Sequence, residues 1–244
     1  MDCESSCATK DRGQRIRSFV LRAGRMSAAQ RRSYEQLFPF YALKGSETGI
    51  IDSEKLFGNN FPLVIEIGFG MGLATACIAQ ENPNINYLGI EVHRPGIGRL
   101  LWEIEKRSLK NIKIIEGDAV EILEQKIADS SVYAFHIFFP DPWPKKRHNK
   151  RRLITRPFTD LLCAKLLPGA SIYMVTDWDD YGEWALNELS ATDGLINRYN
   201  TFAEAQEWRP KTEFERKGIL KNHVVRELLF EKAGSQTRGM TDEG

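Results

Sequence analysis

The sequence predicts a Rossmann-like α/β fold, a mostly parallel sheet flanked by helices with an antiparallel last strand. Three observations predict it. From Asn60 onward, short β-branched and apolar runs alternate with helix-length amphipathic segments, the pattern of a parallel sheet wrapped by helices. One run, Val64-Ile65-Glu66-Ile67, opens directly into Gly68-Phe69-Gly70-Met71-Gly72 and then the helix-forming Leu73-Ala74-Thr75-Ala76-Cys77, a strand–turn–helix joint. The last strong apolar run, Val224 to Phe230, has no helix after it and is expected to close the sheet antiparallel, although its residues do not themselves encode a direction.

In chain order, residues 1 to 25 are basic and lack apolar periodicity, so they are expected to be disordered or to order on RNA. Met26 to Phe38 suits a helix leading into the domain. Strands are expected at Pro62 to Ile67, Tyr87 to Glu91, Lys113 to Glu116, Val132 to Phe139 and Ser171 to Thr176. Between them Ile97, Leu100, Leu101 and Ile104, then Val120, Leu123 and Ile127, recur at helical spacing, so each helix buries one face. A chain of 244 residues fits one α/β domain with extensions. The expected division is a basic extension over 1–35, the domain over 36–234 and a polar tail over 235–244.

Composition narrows the function classes. No basic region followed by an apolar run opens the chain, and no stretch of about 18 apolar residues follows, which argues against secretion and membrane insertion. Cys3, Cys7, Cys77 and Cys163 form no CxxC pair, which suits a reducing cytoplasm. His93, His136, His148 and His223 lie in different elements without ligand spacing, so no metal is expected. Oligomeric state, monomer or homodimer, is left open.

The formal net charge of +1 is unevenly spread. Residues 1–33 hold eight cations against three acids, and residues 145–156 hold seven cations and no acid, leaving the remainder strongly negative. Such segregation suits a polyanion docking on one face.

At the glycine turn, a dinucleotide fingerprint would need glycine at position 73, where Leu73 stands, which weakens an NAD reading. S-adenosylmethionine has no pyrophosphate and needs close backbone packing at the turn plus carboxylates for its polar groups. Gly68, Gly70 and Gly72 supply the first. Glu66, Glu91 and Asp118 follow three successive strands and gather at one sheet edge, where open α/β sheets bind ligands. Glu91 is placed to accept from ribose hydroxyls and Asp118 from an adenine amino group, though strand-end acids also serve as turn or helix caps.

The fourth strand of that series runs into Phe139-Pro140-Asp141-Pro142-Trp143-Pro144 and then Lys145-Lys146-Arg147-His148-Asn149-Lys150-Arg151-Arg152-Leu153. Three prolines stiffen the backbone around one carboxylate and one indole. With IEIGFGMG, GIEVHRPG, TDW and RPKTEFE, these fifteen positions closely resemble the bacterial tRNA (guanine-N7-)-methyltransferase family, over roughly residues 60 to 231. The resemblance implies a class I S-adenosylmethionine-dependent fold and methyl transfer to N7 of a guanine in the tRNA variable loop. It places Glu66, Glu91, Asp118 and Asp141 at the cofactor, with Asp141 also at the catalytic position. It places Lys145, Asp177 and the stretch Thr212 to Glu215, Phe214 included, at the substrate. Where the family usually has Thr-Lys-Phe-Glu, this chain has Glu213.

Guanine N7 carries a lone pair at neutral pH, so positioning and charge should dominate over base catalysis. Asp141 could offset the positive charge arriving on the purine and accept from guanine N1–H and the 2-amino group. Trp143 could stack on a base or simply pack the loop. Arg147, Lys150, Arg151 and Arg152 should grip phosphates, making affinity fall steeply with salt. Asp177 could hold the base or cap the helix near Asp179, and His93 and Arg94 could meet RNA, the methionine carboxylate or start a helix. Three other readings compete: methylation of an exocyclic amine, a non-catalytic tRNA-binding module, and an NAD-dependent oxidoreductase, which leaves the basic run unexplained.

Overall fold

A computed structural model describes residues 16–20, 24–46, 49–211, 215 and 224–234. Its sheet has eight strands: β1 (Ala42–Lys44), β2 (Leu63–Ile67), β3 (Asn86–Glu91), β4 (Ile112–Glu116), β5 (Val132–Phe138), β6 (Leu166–Thr176), β7 (Leu195–Asn197) and β8 (Arg226–Lys232). They lie in the order β1-β4-β3-β2-β5-β6-β8-β7. The first six are parallel, while β8 runs antiparallel to both β6 and β7. The strand order reverses between β2 and β5, and such a switch point opens a crevice at the carboxyl ends of the strands.

Every residue of β2 and β3 is buried, as parallel strands covered on both faces require. One face packs against helices α1 (Ala28–Tyr41), α3 (Leu73–Glu81) and α4 (Arg94–Arg107), and Val64, Tyr87, Ile97 and Leu101 share that core. The other packs against α5 (Ala119–Lys126), α6 (Arg156–Lys165) and α7 (Asp179–Ser190), around Ile65, Phe135, Leu162 and Tyr181. A short helix, α2 (Ser53–Phe57), precedes β2. The apolar spacing Ile97, Leu100, Leu101, Ile104 becomes the wholly buried stripe of α4, which starts with Pro95 in its first turn. None of the described helices is long and apolar enough to cross a membrane.

The five expected parallel strands appear, and the last strand is antiparallel. Three details differ. Strands β1 and β7 have three residues each, too few for a period of two to register. Strand β6 begins at Leu166 rather than near Ser171, running through the exposed Leu167-Pro168-Gly169 where the register with β5 shifts. Helix α1 ends three residues beyond Phe38 and contains Pro39, and it spans the boundary expected at residue 35. Its start is fixed by a capping box between Ser27 and Gln30.

Candidate active site

The ends of β2, β3, β4 and β5 surround one cleft of about 210 Å³, lined by Gly68, Glu91, Asp118 and Asp141 together with Ser18 and Phe19. Gly68 (φ 73°) and Gly70 (φ 57°) adopt the left-handed conformation that side chains disfavour, and a Cβ on either would meet nothing within 4 Å. They leave open space at the turn. Gly72 works differently: its Cβ would lie 2.6 Å from Leu100 Cβ, so α3 packs onto α4 only because that carbon is missing. A fourth glycine completes the cradle. A Cβ on Gly96 would sit 1.9 Å from the carbonyl oxygen of Gly70, so the first turn of α4 presses directly on the glycine turn.

Glu91 ends β3 buried and tied to backbone on three sides. One oxygen accepts from the Gly70 N–H at 2.9 Å, the other from the Val92 and His93 N–H groups at 2.7 and 2.9 Å. The carboxylate therefore fixes the glycine turn as well as lining the cleft. Asp118 caps α5, accepting from the Val120 N–H at 3.0 Å. Glu66 is 3% exposed and is not among the cleft-lining residues; its Oε2 has no hydrogen-bond partner. Burial pushes its carboxyl up to about 7, with the neighbouring Glu91 charge adding to the rise. His136, its register partner on β5, is buried and held down to about 3 by loss of solvation, and so is neutral. Among the described residues no three His, Cys, Asp or Glu gather in a metal-binding group.

Across the cleft, Asp141 is exposed on a loop whose flanking residues Phe139 (φ 50°) and Trp143 (φ 47°) both take left-handed conformations. Each costs about 1–3 kcal/mol and persists only where surroundings enforce it. The Phe139 N–H donates to Val175 O at 2.7 Å. The Trp143 indole N–H donates to Ser18 O at 2.9 Å, Arg151 lies 5.0 Å over its ring, and His148 meets it edge-on. After this loop a 3₁₀ turn over Lys146–Arg151 presents the cations.

This arrangement has relatives. A family model described as "Putative methyltransferase" matches residues 60–228. A tRNA (guanine-N(7)-)-methyltransferase of Methylobacillus flagellatus is 47% identical over 89% of this chain and 91% of its own length. The protein of that name from Burkholderia mallei is 49% identical over 90% of this chain and 83% of its own. The chain belongs to the tRNA (guanine-N(7)-)-methyltransferase family. Two solved structures share the fold at 16% identity: the 16S rRNA methyltransferase KamB, with a TM-score of 0.58 over 80% of this chain and 100% of that one, and TrmN from Thermus thermophilus, with a TM-score of 0.50 over 73% and 46%.

Within this methyltransferase framework the expected site residues separate. Gly68, Glu91, Asp118 and Asp141 come together, with Gly70 and Gly72 shaping the turn beside them. Lys145, Arg147 and Lys150 are exposed and Arg151 is half-buried. Arg152, expected to grip phosphate, has a side chain only 1% exposed that pairs with Asp180. Glu215, expected at the substrate, is buried, and the Arg209 guanidinium holds both its oxygens at 2.6 and 2.9 Å. Arg209 also binds Glu227 of β8 at 2.7 Å, and Glu227 accepts from the Tyr173 hydroxyl. Thr212, Glu213 and Phe214 lie outside the described residues.

Asp177 is half-buried at the end of β6, but the residue at the cap of α7 is Trp178. Arg94 is paired with Glu116 at 2.6 Å and His93 stands at the start of α4. The indole contacts of Trp143 are those of loop packing. Ser18 and Phe19, in the stretch expected to be disordered or to order on RNA, line the cleft. Sequence reasoning missed Gly96 and Arg209, although GIEVHRPG and RPKTEFE contain them.

Proposed function

We propose that this family member transfers a methyl group from S-adenosylmethionine to N7 of a guanine in the variable loop of tRNA, in the cytoplasm. The observation that carries the reading is one cleft walled on one side by Gly68, Glu91 and Asp118 and on the other by Asp141, with a cationic turn starting five residues later. The names of relatives nearly half identical to this chain support the choice of tRNA and of N7.

The cleft's chemistry fits the cofactor. The glycine turn leaves room that a Cβ on Gly68 or Gly70 would fill, and Glu66, two residues before it, keeps a buried oxygen without a partner. Glu91 would accept from the ribose hydroxyls with the lone pairs its backbone bonds leave, Asp118 would face the adenine amino group, and Glu66 would oppose the charge of the methionine amine. When bound, S-adenosylmethionine supplies a methyl group already activated on a sulfonium. The protein's task is then orientation. Asp141 accepts from guanine N1–H and the 2-amino group, turning N7 toward the cofactor side, and its negative charge offsets the positive charge developing on the purine. No residue has to remove a proton before attack. Lys145, Arg147, Lys150 and Arg151 hold the phosphates around that nucleotide.

Incubation with unmodified tRNA and labelled S-adenosylmethionine, followed by nucleoside analysis, tests cofactor, substrate and position together. Label in 7-methylguanosine is expected; label on an exocyclic amine, or none, overturns the proposal.

A further inference from the structure

Arg152 ends the basic run in sequence but points the opposite way in space. Its Nε donates to the carbonyl oxygen of Pro142 at 3.0 Å, one residue after Asp141. Its Nη2 pairs with Asp180 in the first turn of α7, three residues after Asp177. The guanidinium carbon lies over the rings of Tyr181 at 5.1 Å and Trp184 at 5.2 Å, both on the same helix. Those two residues also clamp the chain beyond the turn: the Tyr181 hydroxyl accepts from the Ile154 N–H at 3.2 Å, and the Trp184 indole N–H donates to Ile154 O at 2.7 Å. The cationic turn is thus pinned to α7 at both ends, and one side chain makes the pin nearest Asp141.

We infer that Arg152 is a positioning residue, which locks the Asp141 loop onto α7 and so fixes where Asp141 stands at the cleft. The inference rests on the reading of Asp141 as the carboxylate that orients guanine. The loop needs such a lock because Phe139 and Trp143 are both held in conformations that a free loop would leave. Asp180 is 71% exposed, so the ion pair adds little to stability, and what it does for the direction of the guanidinium is read in turnover. The bond to Pro142 O and the stacking are what only a planar, multi-donor guanidinium can make at once; lysine carries the charge but lacks the mid-shaft N–H and the flat face.

The test uses the full chain with Arg152→Lys and Asp180→Asn. For each variant turnover at saturating tRNA, tRNA affinity at several salt concentrations, cofactor affinity and melting temperature are measured. For Arg152→Lys a roughly 10–100-fold loss of turnover is expected, the size that small misplacements of reacting groups produce. Cofactor affinity and the salt slope of tRNA binding stay at the parent values. Asp180→Asn, on an exposed side chain that the fold does not need, shifts turnover in the same direction by less. A salt slope flattened by about one with turnover intact would show that Arg152 reaches a phosphate after all. A lowered melting temperature with undiminished turnover per folded molecule would reduce it to packing, and Asp180→Asn with parent turnover would break the link to α7 even where Arg152→Lys does not fold. Asp141→Asn, run beside them, separates the two ideas. Full turnover there removes the role of Asp141 itself, whereas an inactive Asp141→Asn with an unimpaired Arg152→Lys removes only the lock.

Discussion

The two walls of the cleft are built on opposite principles. On the β2–β4 side, Glu91 and Asp118 are buried and hydrogen-bonded to backbone, and the glycine turn is wedged between α3 and α4. On the β5 side, Asp141 and most of the cations are exposed, and the loop is held in an unfavourable backbone conformation by contacts at its ends. The first wall is held by bonds within the protein, while the second presents charges to solvent. A small cofactor suits the first and a polyanion the second.

Substitutions that should hurt one wall and spare the other test this division. The largest effect falls on the exposed wall: Asp141→Ala should lower turnover on the order of 10²–10³-fold, as loss of a preorganised charge-stabilising group does, while cofactor affinity falls less. Unchanged turnover in a radioactive methyl-transfer assay would sink the assignment. The buried wall answers with Gly96→Ala, whose methyl has no room beside Gly70 O. Overpacking there should cost about 1–3 kcal/mol, seen in calorimetry as weaker cofactor binding with the tRNA salt slope unaltered; parent affinity would mean that α4 shifts freely.

Replacing Arg147, Lys150 and Arg151 together with alanine should flatten the salt slope of tRNA binding by about three, roughly one per phosphate contact, with cofactor affinity unmoved. An identical slope would place the cations on another face. The smallest effect concerns Glu66, whose carboxyl is pushed up to about 7 by burial. A cationic ligand favours the carboxylate, so cofactor affinity should rise by up to about tenfold between pH 6 and pH 8, with proton release on binding near pH 7. The sign for the cofactor-free fold is opposite. A carboxyl raised in the folded state contributes stability below its ordinary value, which is lost as pH rises through about 7, so Glu66→Gln should melt higher than the parent at pH 8. A flat affinity profile would remove Glu66 from cofactor binding.

The sequence was most legible where burial is two-sided or spacing is rigid. The central strands read as continuous apolar runs because both faces are covered, and Asp141 stood out because prolines bracket it. Arg152 could not be told from Arg147 or Arg151, since a run of cations does not say which side chain turns inward to Tyr181 and Trp184. Gly96 was hidden for a similar reason: the need for glycine lies in a carbonyl 26 residues away, at Gly70, and not in its own turn. The hold of Arg209 on Glu215, six residues later, was likewise not readable, since RPKTEFE does not say which of its charges pair.

The position of β8 has a consequence for how the chain folds as it is made. Among the described strands β7 pairs with β8, and β8 lies between β6 and β7. Arg209, which binds Glu215, finds its second carboxylate, Glu227, on that same strand. During synthesis at ~5–20 residues per second, β7 therefore waits seconds for its partner. Until then the edge of β6 is open to any other extended chain. The nascent protein is aggregation-prone on one flank while its cofactor wall, complete by Asp118, can already form.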